Sequence, residues 1–346
     1  MATIGAQFLT LADIYKRQLG DSGKQVAAII EILSRLSPVV RDAIAVECNL
    51  ATKHMTTIRT GLPEATWRRL YQGVQPGKST TAQVEDTTGM LEALSHIDSK
   101  LVELNPNPGA LRLSEAVAFI EGMTQQMETA IFYENTATKP EALLGLAPRF
   151  SVFSATDPYG KQITKGGGSG SDNTSIWFVT WGENTCHLLY PQGSSAGLKR
   201  EDKGKGIKQN SDGSEYDVHR EKFTWDCGVS VRDPRYIARL CNIDVSDLTI
   251  DAATGANLIP LMIDAFHTLQ NPYNSQVAPG QETAGAMNTV IYCNRTIAKF
   301  LHHQARSAVV NSTLSIEKIE GKRIAMFEGL PIHVSDAILS TEATVP

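Results

Sequence analysis

Cysteine is scarce and scattered in this sequence. Cys48, Cys186, Cys227, Cys241 and Cys293 form no Cys-x-x-Cys pair, and their odd number does not suit a closed disulfide framework. Reduced, mostly buried thiols are expected, as in a reducing compartment. No apolar run approaches the ~18 residues that a membrane helix needs. The opening Met1-Ala2-Thr3-Ile4-Gly5 lacks the basic-then-apolar order of a secretory signal, so folding in a cytoplasm is the default expectation. Positive charge is not in excess either. Lys and Arg number 32 against 37 Asp and Glu, a net charge of -5, which is not the footprint of a dedicated nucleic-acid binder.

Catalytic signatures are equally thin. There is no His-Glu-x-x-His and no Gly-x-Ser-x-Gly. His302-His303 and Cys186-His187 are adjacent pairs whose side chains diverge, and neither has a third ligand at metal-site spacing. Gly73-Val74-Gln75-Pro76-Gly77-Lys78-Ser79-Thr80 resembles a phosphate loop only superficially. Three residues separate its glycines where the motif needs four, and the Thr-rich run that follows is a poor helix former. Gly166-Gly167-Gly168-Ser169-Gly170 lacks dinucleotide-site spacing and reads as a flexible connection. Lys199 to Lys208 carries five cations, but also Glu201 and Asp202 and no aromatic for stacking, so a solvated loop is expected. No catalytic residue, cofactor or metal is expected.

What the chain does have is length for two or three compact units, and a 42% hydrophobic, 20% charged composition typical of globular proteins. Val26, Ile29, Ile30, Leu33 and Leu36 fall at helical spacing, and Pro38 suits the first turn of a following helix. Ser114 reads as an N-cap, with Leu113, Val117, Ile120, Met127 and Ile131 as an apolar stripe running to about Asn135. Asn105-Pro106-Asn107-Pro108-Gly109 reads as a stop before it. Ile176 to Trp181 predicts a strand that hairpins across Gly182-Glu183-Asn184 onto Thr185 to Tyr190. Glu215 to Asp226 and Gly228 to Arg232 suggest strands, Leu258 to Leu269 a helix, and Asn288 to Ala305 a strand then a helix. Arg323 to Val334 is a strand pair turning at Glu328-Gly329. Strands and helices mix without regular alternation, which predicts an α+β protein with two sheet-bearing domains.

One stretch stands apart. Residues 58–91 read as two extended limbs around a tip punctuated by Gly73, Pro76 and Gly77. The first limb carries Trp67, Arg68, Arg69, Leu70 and Tyr71, and the return limb ends in Glu85 and Asp86. Two strands alone are marginal in water, so this is an arm that lies on something else. Charges from Lys53 to Lys78 are nearly all positive, and those from Glu85 to Glu103 nearly all negative. Two readings follow: solvated limbs that attract each other, or a self-complementary surface in which one copy's basic limb meets the next copy's acidic region. Head-to-tail contacts of the second kind build rings and closed shells.

Three passages carry a family resemblance. They are Leu62-Pro63-Glu64-Ala65-Thr66-Trp67-Arg68 with Gly73 to Thr80 and Asp86-Thr87-Thr88-Gly89-Met90-Leu91-Glu92; Leu113-Ser114-Glu115 to Phe132-Tyr133-Glu134-Asn135 with Gly145-Leu146-Ala147-Pro148-Arg149; and Phe327-Glu328-Gly329-Leu330-Pro331-Ile332-His333-Val334-Ser335-Asp336-Ala337. They resemble the major capsid proteins of tailed bacteriophages with the Hong Kong 97-type fold, in particular the short-tailed phages of the epsilon-fifteen kind.

The resemblance implies an N-terminal arm (1–52), an extended E-loop hairpin (53–100), a peripheral domain with a spine helix (101–150), an axial domain (151–287) and a return to the peripheral domain (288–346). It implies a structural protein and not an enzyme, forming hexamers and pentamers of an icosahedral head around non-specifically contacted double-stranded DNA. Scaffolding, portal and decoration proteins are implied partners, and the virion capsid, assembled in the host bacterial cytoplasm, is the implied location. Trp67, Arg68, Arg69, Tyr71, Lys78, Glu85 and Asp86 become the expected subunit-interface residues. Some relatives cross-link through an E-loop lysine. Lys78 lies near the tip without an assignable asparagine, so a non-covalent shell is expected, in which the N-arm itself begins the chain. The alternatives are an encapsulin-like compartment, which shares the fold, and a cytosolic α+β enzyme with a dispersed site.

Overall fold

The computed structural model describes residues 37–248, 257–270, 288–307, 314–319 and 322–346. The expected helical segment at Val26 to Leu36 lies outside the described residues. In chain order the elements begin with α1 (Pro38–Asp42), β1 (Ala45–Glu47), β2 (Lys53–Gly61), β3 (Thr80–Thr87) and β4 (Gly89–Asp98). There follow α2 (Ser99–Leu104), α3 (Pro108–Tyr133), α4 (Leu146–Arg149), β5 (Ile163–Lys165), β6 (Asn173–Trp181) and β7 (Cys186–Tyr190). The rest are β8 (Lys199–Gln209), β9 (Glu215–Val231), β10 (Ile237–Asp244), α5 (Leu258–Thr268), β11 (Asn288–Cys293), α6 (Arg295–Ser307), β12 (Leu314–Ile319), β13 (Lys322–Phe327) and β14 (Leu330–Val334). Pro38 opens α1 as its φ preference suggests.

The described residues divide into two compact units. One contains Met90–Met127 and Gly197–Asp226. Here the proline-rich stretch Asn105 to Gly109 stops α2 at Leu104, as expected, and also starts the next helix. The Asn107 side chain accepts the Ala110 amide at 3.1 Å, and Pro108 takes the first helical position, where its missing N–H costs nothing. Ser114 is therefore inside α3 and not its cap. The expected stripe also divides. Leu111, Ala116, Met123 and Met127 are buried, and Phe119 stacks on Phe223 at 5.5 Å. Leu113, Val117 and Ile120, roughly 70° further around the axis than Ala116, Met123 and Met127, are exposed, whereas Ile131, in line with Leu113, is fully buried. The apolar sector is real, but the described residues cover only part of it.

The expected loop at Lys199 to Lys208 is strand β8, paired antiparallel with β9 from Lys199↔Thr224 to Gln209↔Glu215. A bulge at Gly204, with φ 72°, interrupts the register. β8 forms because its cations find partners. Buried Glu221 accepts Arg200 Nε at 2.8 Å and Arg112 Nε at 2.9 Å, and Arg112 also reaches Asp202.

The second unit takes the described parts of Leu36–Gly89, Glu128–Ala196 and Cys227–Pro346. Its centre is β6, buried along its whole length, as a near-continuous apolar strand with both faces covered should be. β10 and β11 flank β6 antiparallel, β14 runs parallel to β11, and β13 and β12 extend that edge. The turn at Glu328 and Gly329, with φ 49° and 78°, is the expected hairpin between β13 and β14. On one face Ile176, Phe178, Leu240 and Ile291 pack against Met262 and Phe266 of α5 and Ile297 of α6. On the other, Phe132 and Phe150 each lie 6.0 Å from Trp177, and Trp181 donates to the Tyr292 hydroxyl at 2.8 Å.

Two expectations fail here. β6 and β7 do not form a hairpin: they meet only at Trp181↔Cys186. β7 instead pairs antiparallel with β9 and parallel with β1, because β10 and β11 already occupy both edges of β6. The run Gly166 to Gly170 is a docked segment. The Gly166 amide donates to Cys241 O at 2.7 Å, and a side chain at Gly168 would meet the Asp244 amide nitrogen at 2.7 Å, so these glycines serve close approach.

The C-terminal segment is clamped beneath this sheet. Arg239 donates to Glu342 at 2.8 Å, to Phe150 O at 2.7 Å and to Ser175 Oγ at 3.1 Å, with its guanidinium 4.9 Å from the Trp177 ring. Tyr133 and Ser175 hydroxyls also donate to the Glu342 carboxylate.

Candidate interaction arm

The arm grows from a rigid root. β2 and β3 pair from Lys53↔Thr87 to Arg59↔Thr81, and after an irregularity Gly61 faces Thr80. Nine residues of β2 carry the stem roughly 30 Å, at ~3.3 Å per residue. The paired stem ends at Thr87, and Gly89–Asp98 is not part of that two-stranded sheet. Asp86 is only 3% exposed and accepts Arg149 Nη2 at 2.7 Å, while that same nitrogen donates to Val229 O at 2.9 Å. Gly228 completes the root: a side chain there would meet Thr87 O at 2.7 Å. Asn49 brackets Met55 with both halves of its amide, at 2.7 and 2.9 Å.

Beyond Gly61 regular pairing stops. Residues 62–79 form no strand, and the chain reverses at Leu70 and Tyr71 rather than at Gly73 to Gly77. Tyr71 takes φ 68°, a conformation usually left to glycine, and the Gln72 amide donates to Arg69 O at 3.2 Å. Arg68 Nε reaches Gln72 O at 2.8 Å and braces the turn. The limb carrying Trp67 to Tyr71 is thus a displayed tip and not an extended strand. Trp67 is 103% and Tyr71 102% exposed, and Leu62 and Leu70 are nearly as open. A soluble chain does not ordinarily present so much contiguous apolar surface without a partner.

The expected site residues separate on this geometry. Trp67, Arg68, Arg69, Tyr71 and Lys78 all lie exposed on the tip. Arg69 and Lys78 make no ion pair among the described residues. Glu85 is exposed on the stem and pairs across it with Lys53 at 3.1 Å. Asp86 is the correction: it is an internal anchor, bound to Arg149 and inaccessible to a second copy. The acidic half of the charge split is largely consumed internally, since Glu92 pairs with Lys222 at 2.7 Å and Glu103 with Lys205 at 3.5 Å. Of the expected site residues, those left without an ion pair or cover among the described residues are therefore on the cationic, aromatic tip.

Sequence reasoning missed Arg149. It ends a four-residue helix, and no local pattern distinguishes it from a surface arginine. Elsewhere the chemistry is quiet. All five cysteines are buried and unpaired, and burial pushes the Cys186, Cys227 and Cys293 thiols up to about 12, where they are poor nucleophiles. Among the described residues no three His, Cys, Asp or Glu side chains converge as metal ligands, and no helix is long and apolar enough to cross a membrane.

A family model described as "Major capsid protein GP7" matches residues 20–346. The chain is similar to the solved structure of bacteriophage Epsilon15, at 42% identity over 100% of this chain and 99% of that one, with a TM-score of 0.73. It also resembles the bacteriophage JBD30 capsid in fold, at 10% identity over 95% of this chain and 99% of that one, with a TM-score of 0.50. No curated protein matches it.

Proposed function

Because the chain belongs to the family of GP7 major capsid proteins, with an α+β fold of the Hong Kong 97 type, and is a structural subunit of a phage virion and not an enzyme, we propose that its arm is the principal contact between copies. The observation that carries this is the tip, where Trp67 and Tyr71 are as exposed as free side chains. Trp, Tyr and Arg are the residues that most often anchor interfaces, and here they converge on one turn. The tip lies flat on a neighbouring subunit, burying Trp67, Leu70 and Tyr71, with Arg68, Arg69 and Lys78 meeting acidic groups at the rim. Glu85 stays on the stem with Lys53. In this role the E-loop proper is residues 53–87.

The same reading extends to finer partners. Six- and five-membered rings close an icosahedral head around double-stranded DNA, residues 1–52 act as a second arm, and scaffolding, portal and decoration proteins complete assembly. The peripheral and axial parts correspond to residues 101–150 with 288–346, and to residues 151–287. The encapsulin-like alternative has less support, since the 42% likeness over the full chain is to a phage.

Charge reversal tests the rim. Arg68→Glu with Arg69→Glu should reduce intact shells by tenfold or more in negative-stain micrographs while the unassembled subunit keeps its melting temperature. Wild-type shell yields from the double variant would count against the arm as the contact.

A further inference from the structure

Two histidines meet at the arm root. His54 of β2 and His187 of β7 stand edge to face, ring centroids 5.8 Å apart with an 88° interplanar angle. His187 is 1% exposed, and neither of its ring nitrogens makes a well-formed hydrogen bond, the Gly182 backbone being near enough only to favour the protonated ring. His54 Nδ1, and Thr56 Oγ1 and Ser230 Oγ beside them, have no hydrogen-bond partner. Ser230 is the cross-strand neighbour of His187, and Asp86 of His54. Buried polar atoms are normally satisfied, so a cluster of orphans at a structural joint calls for an explanation.

We propose that the His54–His187 pair is a proton-operated latch, which holds the arm root against β7 while both rings are neutral and releases it when His187 takes a proton. Burial favours the neutral state, while the charges facing the pair divide, Asp86 favouring the protonated rings and Arg232 the neutral ones. Asp86, from β3, is the carboxylate that faces the rings, and it is committed to Arg149 of α4. Arg232, just beyond β9, adds positive charge and is held by Glu183 O at 3.3 Å and Asn184 Oδ1 at 3.1 Å. A protonated His187 would be buried with only the Gly182 backbone to favour it at close range, beside a second imidazole and a guanidinium. Moving β2 away from β7 brings water to the ring and removes that cost.

The direction follows from linkage. Burial, with smaller contributions from His54 and Arg232, pushes His187 down to about 4, and burial also lowers His54. In the released root the ring titrates near its ordinary ~6.5. The released form therefore binds the proton between those values and the locked form does not. The latch is fully engaged above ~6.5 and weakens as pH falls toward 4. At pH 5 the ratio of locked to released root should drop about 30-fold.

Hydrogen exchange on the full-length unassembled chain, corrected for intrinsic rates, measures this between pH 7.5 and 5.0. Amides of Cys48 to Met55, Val84 to Thr88 and Cys186 to Leu189 should lose protection by about 30-fold, while those of β6, β10 and β11 hold. His187→Gln should abolish the pH step. Should that variant misfold by circular dichroism, His54→Gln decides, because it removes the opposing ring from a less buried position and should shrink the step several-fold. A wild-type root with no step, or a step of unchanged size in the folded variants, overturns the latch.

Discussion

Trp67→Ser, Leu70→Ser and Tyr71→Ser together should leave a folded, soluble subunit that builds no closed shells. The reason is the separation between what the tip does for its own subunit and what it does for another. These side chains are exposed and touch almost nothing in their own chain, so the substitution removes little intramolecular contact. Burial on a neighbour is worth ~1.5–3 kcal/mol for each large apolar side chain. Three of them supply roughly 5–8 kcal/mol per arm, which corresponds to about four to six orders of magnitude in a pairwise association constant. A shell multiplies that loss, because every subunit contributes an arm. Sedimentation velocity with negative-stain microscopy measures the outcome, and a thermal melt of the unassembled subunit supplies the control. Shells at wild-type yield would remove the tip from the assembly contact. A collapse of the melting temperature would show instead that the tip packs on its own subunit.

Arg239→Met is expected to destabilise the subunit by ~3–5 kcal/mol. Arg239 and Glu342 are each about 4% exposed at the side chain, and the guanidinium also satisfies Ser175 Oγ and Phe150 O. Removing the cation strands a carboxylate in a site built from Trp177, Tyr133 and β6. The cost comes from the abandoned charge more than from the lost pair, so Glu342→Gln in the same chain should recover part of it. Urea denaturation of the unassembled subunit reads both numbers. A loss below ~1 kcal/mol for the single variant would mean that water reaches Glu342 and the clamp is not a dry ion pair. Because Glu342 also holds the C-terminal segment to Asn173 through its backbone, proteolysis near the C-terminus should accelerate in the single variant before global unfolding.

Local chemistry reaches some way into this molecule. The apolar run of Ile176 to Trp181 was legible as a strand, and β6 is one, although its pairing and the cover on both faces were not. The turn at Glu328-Gly329, the helix after Asn257 and the strand and helix from Asn288 were all legible, because each depends on residues within a few positions of one another. The arm was legible for a different reason, its poverty of core-forming residues between Leu62 and Thr80. What the sequence by itself determined, then, was part of the list of elements, their α+β mixture and the existence of a segment with little core of its own.

The tertiary structure decided which groups are consumed and which are left over. Nothing local says that Asp86 meets Arg149 while Glu85 stays at the surface, or that Lys199 to Gln209 becomes a strand once Glu221 has drawn in Arg200 and Arg112. Nor does any spacing bring His54 to His187. Such choices depend on charge pairing and close approach between residues far apart in the chain, and these energies exist only after the chain has closed on itself. Propensity and capping set the elements, whereas desolvation sets their partners, and desolvation is a property of the folded whole.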